Sequence, residues 1–465
     1  MKMIKLSPLL TLAFLIIASS SCDSDDQPKT CGNDHLESYE DCEDGNLLEG
    51  DGCSSTCRIE PFWECPWGYD CKPICGDGVI MSPHESCDGL FLNDQTCASL
   101  GYTGGSLACE TFCRHDIANC TYTVEQISPG LVHSCILLEN GLVRCFGDPD
   151  YLGNAGNTDS GPVTVQGITN AIAVHAGGDQ TYVALADGTA RAWGGNWYGE
   201  LGIGSESDME PTPLLIPNLN NVVAFSSGYG FACALNNLGE VYCWGRNGAG
   251  QLGNYLQDDT MAPGRRAVEQ AVEICSGSSF TCARLREDHQ YFESNLVCWG
   301  DNREGQIGDW QTDGCFTSPN DLEDLPRVTS ISCGYDSACA VLPDHTVKCW
   351  GGASYNFMPR TVEGLSDVSR VAVGSDHACA LLMNGQIKCW GSSEYGQTGT
   401  GGLHGAVASP TAITKLSQYT QLEAGNYSTC AVNANGVAYC WGSNEYGQLG
   451  DGTEVDRADP VGVLP

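Results

Sequence analysis

One short frame recurs seven times along most of this chain, and it constrains the fold more than any other feature. Each copy opens on a glycine, at Gly130, Gly177, Gly228, Gly277, Gly334, Gly374 and Gly425. Neighbouring copies lie 47, 51, 49, 57, 40 and 51 residues apart. An apolar strand follows the glycine, then a tight turn, then a strand ending in an aromatic-glycine step. Those steps are Phe146-Gly147, Trp193-Gly194, Trp244-Gly245, Trp299-Gly300, Trp350-Gly351, Trp390-Gly391 and Trp441-Gly442. Five copies add a Gly-x-x-Gly, as in "GQLG" at 250 and 447; the first has a degenerate "GNAG" at 153, and the fifth lacks the element. A unit of a few short strands cannot bury a core alone, but stacked neighbours can. The expected fold is all-β: a seven-bladed β-propeller over 123–465, closed rather than an open solenoid, with a small disulfide-rich N-terminal region.

The strand pair in each copy reads as a hairpin. In "CILLENGLVRC" two cysteines stand ten apart around Asn140-Gly141. A three-residue loop with Gly141 in the left-handed position sets residue x opposite residue 280 − x, and so Cys135 opposite Cys145. The same logic pairs Cys233 with Cys243, Cys339 with Cys349, Cys379 with Cys389 and Cys430 with Cys440. In the fourth copy an inserted loop widens the spacing, pairing Cys282 with Cys298. The second copy replaces both cysteines together, with Tyr182 and Ala192. Joint replacement argues for bridges within blades rather than independent thiols. Cys275, Cys315 and Cys333 remain. At most one more bridge forms among them, and the expected one ties the long connection holding Cys315 to a neighbouring blade. The last copy stops without a following strand, so "TVEQISPG" (Thr123–Gly130) is expected to complete the last blade as a clasp.

The front of the chain obeys other rules. Lys2 and Lys5 precede the apolar run "PLLTLAFLII", too short to span a bilayer as an ordinary helix; "ASSS" then leads to Cys22. The segment is similar to a bacterial lipoprotein signal ending at Cys22 (residues 1–22), with lipidation of that cysteine and a short linker over 23–30. Residues 31–122 form two cysteine-rich modules. Each opens Cys-Gly (Cys31, Cys75), reaches a Glu two residues before a second Cys (Cys42, Cys87), and later carries Cys-x3-Cys (Cys53/Cys57, Cys109/Cys113). Modules this small need covalent staples, and an exported chain with 28 cysteines implies disulfides. Zinc at the Cys-x3-Cys pairs is the weaker reading. The acidic run Asp41, Glu43, Asp44, Asn46 and Asp51 offers oxygen ligands for calcium. It lacks the EF-hand spacing, so a solvated loop is preferred and no cofactor is expected.

Acids outnumber bases 58 to 21, a formal net charge of −37. Such a surface repels nucleic-acid phosphates, so no nucleic-acid partner is expected.

Units such as "GSDHACALLMNGQIKCWGSSEYGQTG" (Gly374–Gly399) resemble the repeat of the regulator of chromosome condensation family, in the manner of its exported bacterial members with a cysteine pair in each hairpin. "EDGNLLEGDGCSSTC" (Glu43–Cys57) resembles the cysteine-rich repeats of myxobacterial surface proteins, and "TCASLGYTGGSLACETFC" (Thr96–Cys113) a sister pattern. The first resemblance implies a seven-bladed propeller acting through protein contacts without a cofactor. That family includes a nuclear guanine-nucleotide exchange factor and a protein inhibitor of beta-lactamases, but a fold does not transmit an activity.

The expected function is therefore non-catalytic: a monomeric binding or adhesion protein, lipid-anchored in the bacterial envelope at the outer membrane or cell surface, holding a protein or glycan. The candidate contacts are aromatic residues in loops that break the repeat. They are His289, Tyr291 and Phe292 in Arg286–Asn295, Trp310 and Phe316 in Asp309–Asp321, and Tyr355 in the shortened fifth copy. An extracellular hydrolase or lyase is the alternative. His133 and His377 share one slot, but the other copies place Gln180, Phe231, Phe280, Ser337 and Ser428 there, which reads as structural. No HExxH, GxSxG or P-loop is present. Nucleotide exchange on a small GTPase is weaker still, because an exported chain does not meet a cytosolic GTPase.

Overall fold

A computed structural model describes residues 31–464 except 34, 37, 70, 81–84, 101, 111–112, 117–118, 157–160, 289–293, 310–313, 323–324, 326, 356, 404 and 416–417. Cys22, His289, Tyr291, Phe292 and Trp310 lie outside the described residues. The chain divides into two compact units. One takes the residues up to Asp94 together with Ala108–Asp116; the other takes Gln95–Leu107 and everything from Ile117 onward.

In the first unit the two cysteine modules repeat one bridging plan. Cys31 bonds Cys57 around an inner Cys42–Cys53 bridge; Cys75 bonds Cys113 around an inner Cys87–Cys109 bridge. The two cysteines of each Cys-x3-Cys thus go to different bridges. A buried acid after the second Cys caps the first turn in both. Glu43 accepts from the backbone N–H of Gly32 (3.0 Å) and Gly45 (2.8 Å), and Asp88 accepts from Gly76 and Asp77 (3.2 Å). These small modules have almost no apolar core beyond their sulfur atoms, so bridges and capped turns carry the fold.

The second unit holds seven four-stranded antiparallel sheets. The blades run over 124–164, 171–215, 222–268, 271–321, 330–361, 368–412 and 419–462. Within each blade the strands follow chain order from the innermost outward. The hairpin register matches the expected one: Cys135 faces Cys145 and Leu137 faces Val143. The bridged pairs are the close kind, with Cα atoms 4.0–4.1 Å apart, as at non-hydrogen-bonded positions of an antiparallel pair. All six hairpin bridges form. In the second blade Tyr182 faces Ala192 instead. Its ring fills the bridge's space, stacked on Phe225 (5.4 Å) with its hydroxyl donating to the Glu200 carbonyl (2.7 Å).

Two expectations need correction. The N-terminal strand Val124–Pro129 is the innermost strand of the first blade, not a clasp on the last. The reason is local: Gly130 donates to the His133 carbonyl (2.8 Å) in a turn so tight that the strand must pair with the one that follows it. The last blade ends on its own outer strand, Arg457–Gly462. First and last blades meet instead through packing and isolated hydrogen bonds. Tyr122 Oη donates to the Val463 carbonyl (2.6 Å), Ser134 Oγ to that of Gln448 (2.8 Å), and the Val124 N–H to that of Gly436 (2.8 Å).

The other correction concerns sulfur. Cys275 bonds Cys333, and Cys315 is an exposed free thiol on an outer strand. Counting back from the marker glycine explains the choice. The residue two before the glycine in one blade reaches the residue just before the glycine in the next. Ser128 Oγ accepts from the Ala176 N–H (2.9 Å), His175 meets Ser227 (3.0 Å), Ser226 accepts from Ser276 (2.7 Å) and Ser332 accepts from Val373 (3.0 Å). Cys275 and Cys333 occupy these two positions in adjacent blades, so the bridge is the covalent form of a recurring inter-blade link.

Candidate functional site

The antiparallel strand order sorts the connections to two ends. The glycine-led turns between first and second strands and the loops between third and fourth strands share one end, the loop face. The hairpin turns and the blade-to-blade connections share the other.

The Gly-x-x-Gly loops are braced from within. Buried Asn196, Asn247, Asn302 and Asn444 each accept, through Oδ1, the N–H of Leu201, Leu252, Ile307 or Leu449 at 2.9–3.1 Å. The acidic or amide side chain after the first glycine folds back on the residue before it. Glu200 thereby holds the N–H of Tyr198 (2.7 Å), Gln397 that of Tyr395 (3.0 Å) and Gln448 that of Tyr446 (2.9 Å). The second glycine receives the next blade's aromatic residue. Trp244, Trp299, Trp350 and Trp441 each donate their indole N–H to the preceding blade's loop carbonyl at 2.7–3.0 Å. A Cβ at Gly253 would stand 2.7 Å from the Trp299 ring, which is why glycine recurs there. At the closing joint Phe146 packs on Gly450.

These loops, together with the glycine-led turns beside them, present a crown of aromatic residues to solvent. Trp197 is 67% exposed and Tyr229 57%; Tyr335, Tyr395, Tyr427 and Tyr446 are also exposed. They pair across blade boundaries: Tyr198 with Tyr229 (ring centroids 6.3 Å) and Tyr395 with Tyr427 (5.4 Å). A cleft of about 420 Å³ opens beside them, lined by Arg246, Ser278, Ser279, Arg303, Tyr335 and Asp336 among others. Burial raises the Asp336 carboxyl above its ordinary range. Burial pushes Asp301 the same way, but its hydrogen bonds to Arg303 (Nε to both oxygens, 3.0 Å) outweigh that and hold it low.

Phe316 and Tyr355, the two described residues among the candidate contacts singled out in the sequence, do not join this crown. Tyr355 is half-buried, and its hydroxyl accepts the Trp390 indole N–H at 2.7 Å. It replaces the loop carbonyl that the fifth blade lacks, and burial pushes it up to about 12. Phe316 lies in the outer strand Cys315–Asp321, half-buried against the core, rather than in a loop. The strands flanking the 286–295 insertion end at the hairpin face, and those flanking 309–314 at the loop face. His133 and His377 are buried and meet Thr181 (2.6 Å) and Thr429 (2.8 Å) of the next blade. Burial drives them down to about 3 and about 4. In the acidic run, Asp41 pairs with Arg58 (2.7 Å) and Asn46 Nδ2 donates to Asp51 (3.1 Å). Burial and the nearby Asp51 and Glu43 carboxylates raise the Asp44 carboxyl above its ordinary range. Sequence reading passed over the aromatic crown because its members sit inside the repeat. The signal was the tyrosine before the Gly-x-x-Gly, in "WYGELG", "EYGQTG" and "EYGQLG".

Comparisons with known proteins agree with this architecture. Two family profiles, both described as Regulator of chromosome condensation (RCC1) repeat, together cover more than half of the chain. One matches 222–251, 271–306, 328–356, 368–397 and 419–448; the other matches 187–235, 239–284, 295–341 and 435–464. The ultraviolet-B receptor UVR8 of Arabidopsis thaliana is 27% identical over 352 residues, 72% of this chain and 69% of its own length. The human E3 ubiquitin-protein ligase HERC2 is 29% identical over 295 residues, 60% of this chain but 5% of its own length. Among solved structures, human WBSCR16 shares the fold with a TM-score of 0.55 at 20% identity, over 69% of this chain and 90% of that one. Seven blades, the repeated Trp-Gly joints and the matched residues together establish that this chain belongs to the RCC1 repeat family.

Proposed function

We propose that this chain is a non-catalytic binding scaffold, exported and lipid-tethered at Cys22, that presents the loop face of its propeller to a protein partner. The observation that carries this reading is the crown of exposed tyrosine and tryptophan on the braced Gly-x-x-Gly loops and the glycine-led turns beside them. Rigid aromatic residues with polar tips supply large contact area at low entropic cost, and they dominate protein interfaces. The tyrosine pairs are tilted by 54–56°, which suits side chains of a protein better than a flat row suits sugar rings. The thirteen disulfides among the described residues favour an oxidising compartment. The relatives' printed activities, ultraviolet-B reception and ubiquitin ligation, differ on one shared fold, so neither is carried over.

The test is capture from envelope extracts by the full chain, by a Trp197→Ala/Tyr229→Ala/Tyr427→Ala variant, and by an Arg286→Ala control on the hairpin face. The expected result is a partner held by wild type and control and released by the triple variant. Equal capture by all three would overturn the assignment. The tether is checked by palmitate labelling, which Cys22→Ser must abolish.

A further inference from the structure

We propose that Arg246 is a receptor for a single carboxylate, so that the loop face recognises an acidic side chain of its protein partner. The guanidinium of Arg246 lies over two rings, 5.6 Å from the centroid of Tyr198 and 5.5 Å from that of Tyr229. It is half-buried, and among the described residues it makes no ion pair. The neighbouring arginine of the same cleft shows the contrast: Arg303 is neutralised by a forked bond to Asp301.

Ring contacts occupy the faces of a guanidinium and fix its plane. They leave the N–H edges free for an in-plane acceptor, and a carboxylate matches that fork with two parallel bonds. The partial desolvation is already suffered in the free protein, so less is lost when the acceptor arrives. The rest of the cleft narrows the choice of anion. Ser279 adds a hydroxyl, while Ser278 is committed to Asp336 (3.1 Å). Asp336, Glu304 and Asp301 put negative charge on the same cleft. That charge opposes a phosphate or a polyanion more than a single carboxylate, and basic or apolar residues flanking the carboxylate lessen the opposition further. Tyr229 and Tyr335 offer apolar contact to the flanking residues.

This inference rests on the loop face being a protein-binding surface, and one experiment separates the two. A phage-displayed random dodecapeptide library is panned on the full-length chain, and enriched peptides are titrated by calorimetry. The expected peptides carry an Asp or Glu, and changing it to the amide weakens binding by about tenfold or more. Arg246→Gln weakens it as much, and Arg246→Lys, which keeps charge but loses the fork, recovers only part. Arg286→Gln, on the hairpin face, changes it less than about threefold, because that end lies opposite the cleft. Peptides that Trp197→Ala/Tyr229→Ala releases but Arg246→Gln does not would overturn the carboxylate receptor and leave the binding face standing. Peptides unaffected by any of these variants would overturn both, as would enrichment of none.

Discussion

The inter-blade bridge is the sharpest test of how this ring is held. Cys275 and Cys333 close a loop of 58 residues, whereas a hairpin bridge such as Cys233–Cys243 closes one of 10. In the chain-entropy treatment the first constraint is worth about 4 kcal/mol and the second about 3 kcal/mol at 25 °C. Cys275→Ser with Cys333→Ser keeps a hydroxyl where other blades use one, as at Ser226 and Ser276, so the covalent constraint is what is lost. For a propeller of this size, roughly 2 °C of thermal midpoint accompanies each kcal/mol. The inter-blade double variant should therefore melt about 8 °C below wild type, and Cys233→Ser/Cys243→Ser about 6 °C below. Differential scanning calorimetry under non-reducing conditions measures both. An inter-blade variant that melts with wild type, or above the hairpin variant, would refute the reasoning that this bridge spans the larger loop and ties two blades.

Tyr355→Phe removes the hydroxyl that accepts the Trp390 indole N–H. It should cost about 1–3 kcal/mol in urea unfolding while leaving partner capture intact. His133 and His377 have folded values near 3 and 4, below the unfolded value near 6.5. The unfolded chain therefore binds more protons as pH falls. Stability is complete above about pH 7 and declines from about pH 6.5 towards the folded values, by up to about 1.4 kcal/mol per pH unit for each histidine. Urea titrations at pH 7, 5.5 and 4.5 should show a slope that His133→Gln/His377→Gln flattens, since Gln180 fills the same slot in the second blade. Alkylation of the native protein should label Cys315 alone among residues 31–464, and mass mapping that finds Cys275 or Cys333 labelled would contradict the pairing.

Much of the blade was legible before any coordinates. Hairpin register follows from the Asn-Gly turn and the spacing of two cysteines, both local in sequence. The seven copies dictated the number of sheets for the same reason. The bridge between blades was misread because Cys315 sits in the most irregular segment, which drew attention from the frame that aligns Cys275 with Cys333. Tyr355 reads as a contact residue because it stands where the repeat breaks, and the structure shows its hydroxyl accepting the Trp390 indole N–H. Only the packed ring shows that a break in one blade's loop must be mended for the next blade's tryptophan.

What the sequence determined by itself was therefore the repeating unit: strands, turns, hairpin bridges and the glycines that let rings approach backbone. These depend on neighbours within one copy. The tertiary structure decided which strand belongs to which blade, how first and last blades meet, and which side chains reach solvent. Those depend on residues about 50 positions apart in one blade and the next, where a tyrosine before a glycine reads the same whether buried or exposed. The crown around Arg246 exists only because the loops of successive blades end on one face.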